Sequence, residues 1–327
     1  LGSRSVAIGQ GSLGAQNFTT ATDTYNTAVG YGSGSLVTTG IQNTLIGSLA
    51  GDALTDADFN VAVGMSALGA DTLGSRNVAI GSGALSTQNF TTATDSYNTA
   101  VGYGAGDLLS TGLRNTILGG LAGDAFTAAS DNVAIGYQAL TSAVESNRTV
   151  AIGSNALNAQ NIAGTTYTTA VGYGAGEDTT TGIQNTLIGG YAGTSTTTGT
   201  NNTYIGYNAA QADDQSQQNV VVGAQAATNM NHGNEVGSQT IVGFQANYYN
   251  VTGTSNTFLG FKAGFGVSGN SNTSNTGVGS NALLGITDGN YNTAVGDGAG
   301  YYVTTGDYNI SIGRAADQVT TNGTHNI

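Results

Sequence analysis

The chain has 327 residues, 53 of them Gly and none of them Pro, Cys or Trp; only 8% are charged, and the net charge is −13 at pH 7. Without cysteine there is no disulfide framework and no thiolate metal site. Nucleic acid is an unsuitable partner, because Arg4, Arg76, Arg114, Arg148, Lys262 and Arg314 are the whole basic complement and lie scattered along the chain.

From the first residues onward one frame recurs: Asn, a β-branched residue, a small or apolar residue, an aliphatic residue, Gly, two free positions and Ala, as in Asn98 to Ala105. Its Gly falls at Gly9, Gly30, Gly47, Gly64, Gly81, Gly102, Gly119, Gly136, Gly153, Gly172, Gly189, Gly206, Gly223, Gly243, Gly260, Gly279, Gly296 and Gly313. Most intervals are 17 residues and the rest run from 19 to 21. A fixed period of this size, stretched only by short insertions, marks a solenoid whose units stack on one another. The fold class is therefore all-β, a parallel β-solenoid of about eighteen coils.

Two side chains in each coil suggest its core. The residue three before the Gly is Thr, Val or Ile in every unit, and the residue just before the Gly is Ile, Val or Leu. A spacing of two in a run ending at Gly reads as a short strand showing one face to an interior. The expected core is thus Ile8, Val29, Ile46, Val63, Ile80, Val101, Leu118, Ile135, Ile152, Val171, Ile188, Ile205, Val222, Val242, Leu259, Val278, Val295 and Ile312. The residue between the two points the other way, yet it too is apolar in 16 of 18 units, as Ala28, Leu45, Ile117, Val221 and Phe258 show. A strand apolar on both faces is buried on both. We expect the second face to be covered by identical chains packed side by side, so that Val101→Asp breaks coil stacking while Leu45→Asp or Ile117→Asp breaks assembly.

Corner residues complete the coil. Asn precedes the strand in fourteen units, including Asn26, Asn98 and Asn185, where it can tolerate a left-handed turn and bond neighbouring backbone. The Gly after the strand, for example Gly30, Gly102 and Gly172, supplies a positive φ or tight bend toward a second short strand.

A longer period overlies the first. Residues 1–72 and 73–144 align without a gap, residues 145–214 follow the same four-coil scheme, and residues 215–327 are less regular. The extra residues of the longer coils, 17–24 and 89–96, fall at one corner, a usual place for exposed loops. Segments 229–237 and 266–274 are further candidates for such loops. The whole of 1–327 reads as one continuous solenoid segment, and its start and stop in mid-pattern suggest part of a longer polypeptide.

Chemistry is sparse. His232 and His325 lie in Asn- and Gly-rich segments without metal-ligand spacing and read as solvated loop residues. Of the carboxylates, Glu145, Glu177 and Glu235 are the only Glu, and the 16 Asp sit mostly at corners, so the pair a glycosidase needs is not apparent. Asp56 and Asp58 could present oxygens to calcium, but solvent-facing corner acids are the simpler reading, and no cofactor is implied. Aromatic residues are more suggestive. Tyr31, Tyr103, Tyr137, Tyr173 and Tyr207, with Phe244 and Phe261, directly follow the repeat Gly, while Tyr25, Tyr97, Tyr167, Tyr291 and Tyr308 stand five before it. The first five are candidate glycan contacts; rings in such columns can stack on sugars or seal a contact between chains.

The segment Ser5-Val6-Ala7-Ile8-Gly9-Gln10-Gly11-Ser12-Leu13-Gly14 and its relatives at 77–85 and 132–140 resemble the head repeats of YadA-like trimeric autotransporter adhesins. Units such as Tyr291-Asn292-Thr293-Ala294-Val295-Gly296-Asp297-Gly298-Ala299-Gly300 look still more like the repeats of tail fibres from marine bacteriophages. The resemblance covers essentially the whole chain. It implies a left-handed parallel β-roll, a homotrimer, and a non-enzymatic fibre segment in the virion tail, outside the cell. The implied partners are a host cell-surface glycan or protein receptor and other virion tail proteins, with no nucleic acid and no membrane insertion. The alternatives are the head of a bacterial trimeric adhesin on the cell surface and a polysaccharide-degrading tailspike.

Overall fold

The computed structural model describes residues 2–233, 236–317 and 322–326. They contain no helix, and the strands form a parallel β-solenoid of about eighteen coils. The chain divides into two compact units, 1–166 and 167–327. In the first, nine three-residue strands from Val6–Ile8 to Val150–Ile152 pair in chain order as one parallel ladder. The second has nine more, Thr169–Val171 to Ile310–Ile312, paired in the same way. Register holds the repeat in column: Ala100 faces Ala79 on one side and Ile117 on the other. The stretch after the repeat Gly, expected to be a second strand, is a run of turns whose amides still bond the adjacent coil, as in Leu49 N–H to Tyr31 O, 2.8 Å.

The two faces of the strand are exchanged relative to the sequence expectation. The middle residue points into the coil: Ala28, Leu45, Ala62, Ala100, Ile117, Leu187, Tyr204, Val221 and Phe258 are all 0% exposed. The residues expected as core, Ile8, Val29, Ile46, Val63, Ile80, Val101, Leu118, Ile135, Ile152, Val171, Ile188, Ile205, Val222, Val242, Leu259, Val278, Val295 and Ile312, lie on the outer face, half-buried or exposed. The reason is room. The same interior also holds the repeat Ala, such as Ala50, Ala67 and Ala105, themselves fully buried. Beside them, one inward side chain per strand fits where two bulky ones would not.

Bulk inside the coil is conserved by trading positions. Where the middle residue is Ala62, Ala79, Ala134 or Ala151, the fourth residue after the repeat Gly is a buried Leu68, Leu85, Leu140 or Leu157. Where the middle residue is Leu45, Ile117, Leu187 or Phe258, that position is Gly: a Cβ on Gly51 would stand 2.8 Å from Leu45 Cδ2, and one on Gly264 2.5 Å from Phe258. The four-coil block is thus a packing unit, since neighbouring coils fill one another's gaps. Further core comes from the seventh residue after the Gly, with Val37, Leu54, Leu109 and Phe126 fully buried.

The Asn column is an interior hydrogen-bond ladder. Asn26 Oδ1 accepts the backbone N–H of Asn43 at 2.8 Å, and Asn26 Nδ2 donates to Gly40 O at 2.8 Å. Asn43, Asn60, Asn77, Asn98 and Asn115 each repeat the first bond onto the next coil, as do Asn185, Asn202, Asn256, Asn275, Asn292 and Asn309 in the second unit. Burying these amides is tolerable because both ends are paired. The left-handed conformation expected of Asn belongs to the residue before it, for example Tyr25 (φ 51°), Arg76 (φ 64°) and Tyr97 (φ 52°). Gly30, Gly102 and Gly172 do take positive φ, at 137°, 143° and 142°. At Gly30 space is a second reason: a Cβ would sit 2.4 Å from the carbonyl oxygen of Gly47 in the next coil.

The long coils carry their extra residues as small added ladders, Thr22–Asp23 on Gly2–Ser3 and Thr94–Asp95 on Gly74–Ser75. Phe18 and Phe90 are buried at these insertions. His232 is also buried, not solvated, with Nε2 2.7 Å from Gly253 O and 3.2 Å from Gln239 Nε2. Its neighbour Glu235 lies outside the described residues.

Candidate functional site

The feature that sets this molecule apart from a finished globular fold is the outer face of its sheet. In each unit it presents two columns over nine coils, one of Thr or Val with occasional Ile, the other of Ile, Val or Leu. Internal members stay well exposed: Ile46 39%, Leu118 45%, Ile188 37% and Leu259 38%. Parallel sheets are ordinarily covered on both faces. An aliphatic column running over nine strands is a continuous exposed apolar feature rather than a scatter of single residues.

Aromatic and basic residues line the margins. Tyr31, Tyr103, Tyr137, Tyr173 and Tyr207, which follow the repeat Gly, are all exposed, from 52% for Tyr173 to 69% for Tyr103. Ring contacts gather Tyr173 and Tyr207 around Tyr191; Phe244 stacks on Phe261, with centroids 5.7 Å apart. On the other margin Tyr291, Tyr308 and His325 stack in series, each centroid 4.9 Å from the next. His325 is exposed outside the strands, as expected, and is also the third ring of this column.

Basic residues that look scattered in sequence share this second margin in the first unit. Arg4, Arg76, Arg114 and Arg148 all occupy the left-handed position before the corner residue. Arg76 lies over the Phe59 ring at 4.6 Å and ion-pairs with Asp95 at 3.0 Å. Arg4 pairs with Asp23 at 3.0 Å, and Arg114 grips Asp131 through two contacts, at 2.6 and 3.0 Å. The Arg114 guanidinium holds the Asp131 carboxyl below its ordinary value, and Arg4, Arg76 and Arg114 each have an acidic partner. Sequence position relative to the repeat Gly already encodes the column.

Adjacent carboxylates among the described residues diverge. Asp213 points into the coil and Asp214 out to Thr197 Oγ1. Asp58 Oδ1 accepts Ile41 N–H at 2.8 Å and Asp56 Oδ1 accepts Thr39 Oγ1 at 2.5 Å, so each serves the preceding coil. Partial burial raises the Asp58 carboxyl above its ordinary value. Among the described residues no three His, Asp or Glu side chains gather as a cation site. No helix among the described residues is long and apolar enough to cross a membrane.

Fold and surface together define a parallel β-solenoid with one apolar sheet face and aromatic margins. No protein-family model, curated protein or solved structure matches the chain.

Proposed function

We propose that this chain is a structural, non-enzymatic segment of a bacteriophage tail fibre that contributes to attachment at a host surface. The observation that carries the reading is the uncovered aliphatic sheet face, continued over nine coils in each unit. A shaft assembled from parallel copies hides such a face, and three chains about one axis is the arrangement that the resemblance of the repeats favours, with left-handed coils. The margins then remain for contact with a host glycan or protein receptor, with Tyr31, Tyr103 and Tyr137 offering ring faces to sugars.

The test has two arms. Sedimentation of the full chain is expected to give the mass of three chains; a monomer at micromolar concentration would overturn the fibre reading. Labelled fibre with Tyr103→Ala and Tyr137→Ala is expected to bind host cells at least several-fold more weakly, and undiminished binding would assign these rings to structure alone. A bacterial surface adhesin is the alternative location. It is separated by whether the full reading frame continues into a heptad stalk and membrane anchor.

A further inference from the structure

The internal duplication supplies a control within the chain. Three four-coil blocks share one scaffold, so a side-chain cluster present in only one of them owes nothing to the scaffold itself. In the third block Tyr173, Tyr191, Tyr207 and Glu177 meet. The second block has Tyr103, Leu121, Tyr137 and Asp107 in their places, and the first has Tyr31, Leu49, Met65 and Ser35.

The rings of the third block are arranged as walls, not as a platform. Tyr191 meets Tyr173 with centroids 5.2 Å apart and Tyr207 at 6.3 Å, each pair inclined at 75°. The stacked pairs elsewhere, at 3° for Tyr291 on Tyr308 and 10° for Phe244 on Phe261, spend their faces on each other. Here Tyr173 and Tyr207 stay 52% and 53% exposed. Glycine makes the meeting possible. A Cβ on Gly174 would lie 3.0 Å from Glu177 Oε2 and 3.1 Å from Tyr191 Cδ1, so the carboxylate and the ring edge both lie over the bare glycine. A Cβ on Gly190 would touch Tyr207 Cδ2 at 3.5 Å, so Tyr207 leans over the second bare position.

Inclined tyrosine rings beside a carboxylate suit one chemistry better than others. Ring faces attract a cation through their quadrupole, and a nearby carboxylate adds charge without demanding a hydrogen-bond donor. A sugar asks for a flat ring on which to lie, and an anion would be repelled by Glu177. We infer that Tyr173, Tyr191, Tyr207 and Glu177 form a binding site for a quaternary ammonium group. The site takes the trimethylammonium head of choline, whether free or carried as phosphocholine on a surface molecule. Tyr191 supplies the central wall, Tyr173 and Tyr207 the flanking ones, and Glu177 the counter-charge.

Calorimetric titration of the full chain with choline, phosphocholine and the neutral isostere 3,3-dimethyl-1-butanol tests this. Choline is expected to bind and the isostere to bind about tenfold more weakly or not at all, because only the cation gains from rings and carboxylate. If phosphocholine binds more tightly than choline, the source is a surface-borne headgroup; if choline binds more tightly, it is the free cation. Tyr191→Leu installs the residue that the other two blocks carry at this place, so the coil is expected to fold. It should lose about tenfold in choline affinity, and Glu177→Gln several-fold. Equal binding of choline and the isostere, no choline binding at millimolar concentration, or unchanged affinity in Tyr191→Leu would each overturn the inference. The readout is a soluble ligand on the isolated chain, so it stands or falls separately from the fibre assembly and from host-cell attachment.

Discussion

Asp71 and Asp213 occupy the interior position that other coils give to Val37, Leu54 or Leu109. Asp71 is held by Gly74 N–H at 3.0 Å, Phe90 N–H at 3.1 Å and Gln88 Nε2 at 2.6 Å. Asp213 accepts the hydroxyls of Tyr204 and Ser216, and burial pushes its carboxyl up to about 6 from an ordinary 3.8. Burial first, then the charge of Asp213, lifts the Tyr204 phenol well above its ordinary value, so its proton stays to make the bond. A carboxyl raised on folding favours the folded state least where it must ionise. Below pH ~4 both states carry the proton, between ~4 and ~6 the unfolded chain alone loses it, and above ~6 the folded chain bears a constant deficit. That deficit is of order 2–3 kcal/mol. Asp213→Asn is therefore expected to raise Tm at pH 7 to 8 by several degrees relative to the parent, with the gain fading toward pH 4. Thermal melts across that range check it, and a gain independent of pH would refute the assignment. The position was not legible in the sequence, because the same column holds Gln88, Gln160, Thr179 and Thr196 beside Val37 and Leu54, and acids read as corner residues; nor was the meeting with Tyr204, which lies in a different part of the coil.

At the scale of the coil, the repeat states which positions matter but not how they share space. Ala62 with Leu68 and Leu45 with Gly51 are two solutions to one volume, separated by a single turn of the solenoid. Ala62→Leu alone overpacks against Leu68, at about 1–3 kcal/mol. Leu68→Gly alone opens a cavity, costing about 2–4 kcal/mol. The double variant reproduces the arrangement of the preceding coil, with Gly entering a position already at positive φ, 53° in Leu68. It is expected to cost at least ~1 kcal/mol less than the sum of the singles, as residues sharing one cavity couple. A denaturant double-mutant cycle measures this, and strict additivity would sink the volume exchange. The Asn ladder was more readable: a polar residue at a constant corner implies bonds between coils, and Asn115 does bond both Asn98 and Ala129.

At the scale of the molecule, the exchange of faces reverses what substitution should do. Ile117 is fully buried, so Ile117→Asp places an unpaired charge inside the coil and is expected to cost several kcal/mol and melt the neighbouring coils. Val101 lies on the outer face, so Val101→Asp should leave far-UV circular dichroism and coil melting nearly unchanged while reducing self-association by at least tenfold. Paired melting and sedimentation experiments decide it. Unfolding by Val101→Asp to the same degree as Ile117→Asp would remove the face assignment, and an oligomer untouched by Val101→Asp would remove the sheet face as the contact between chains.

The primary structure by itself determined the coil and its count, the parallel strand before each repeat Gly, the positive φ at Gly30 and Gly102, and the four-coil block. All of these follow from period and local residue chemistry. The side of the strand that faces inward was decided only by the tertiary structure. Alternation separates two sets of side chains, and when both sets are apolar it does not rank them. The ranking came from the interior volume, which the repeat Ala and the buried side chains of the following turns already share, so it admits the single middle side chain of each strand, from Ala28 to Tyr204, and leaves the flanking pair outside.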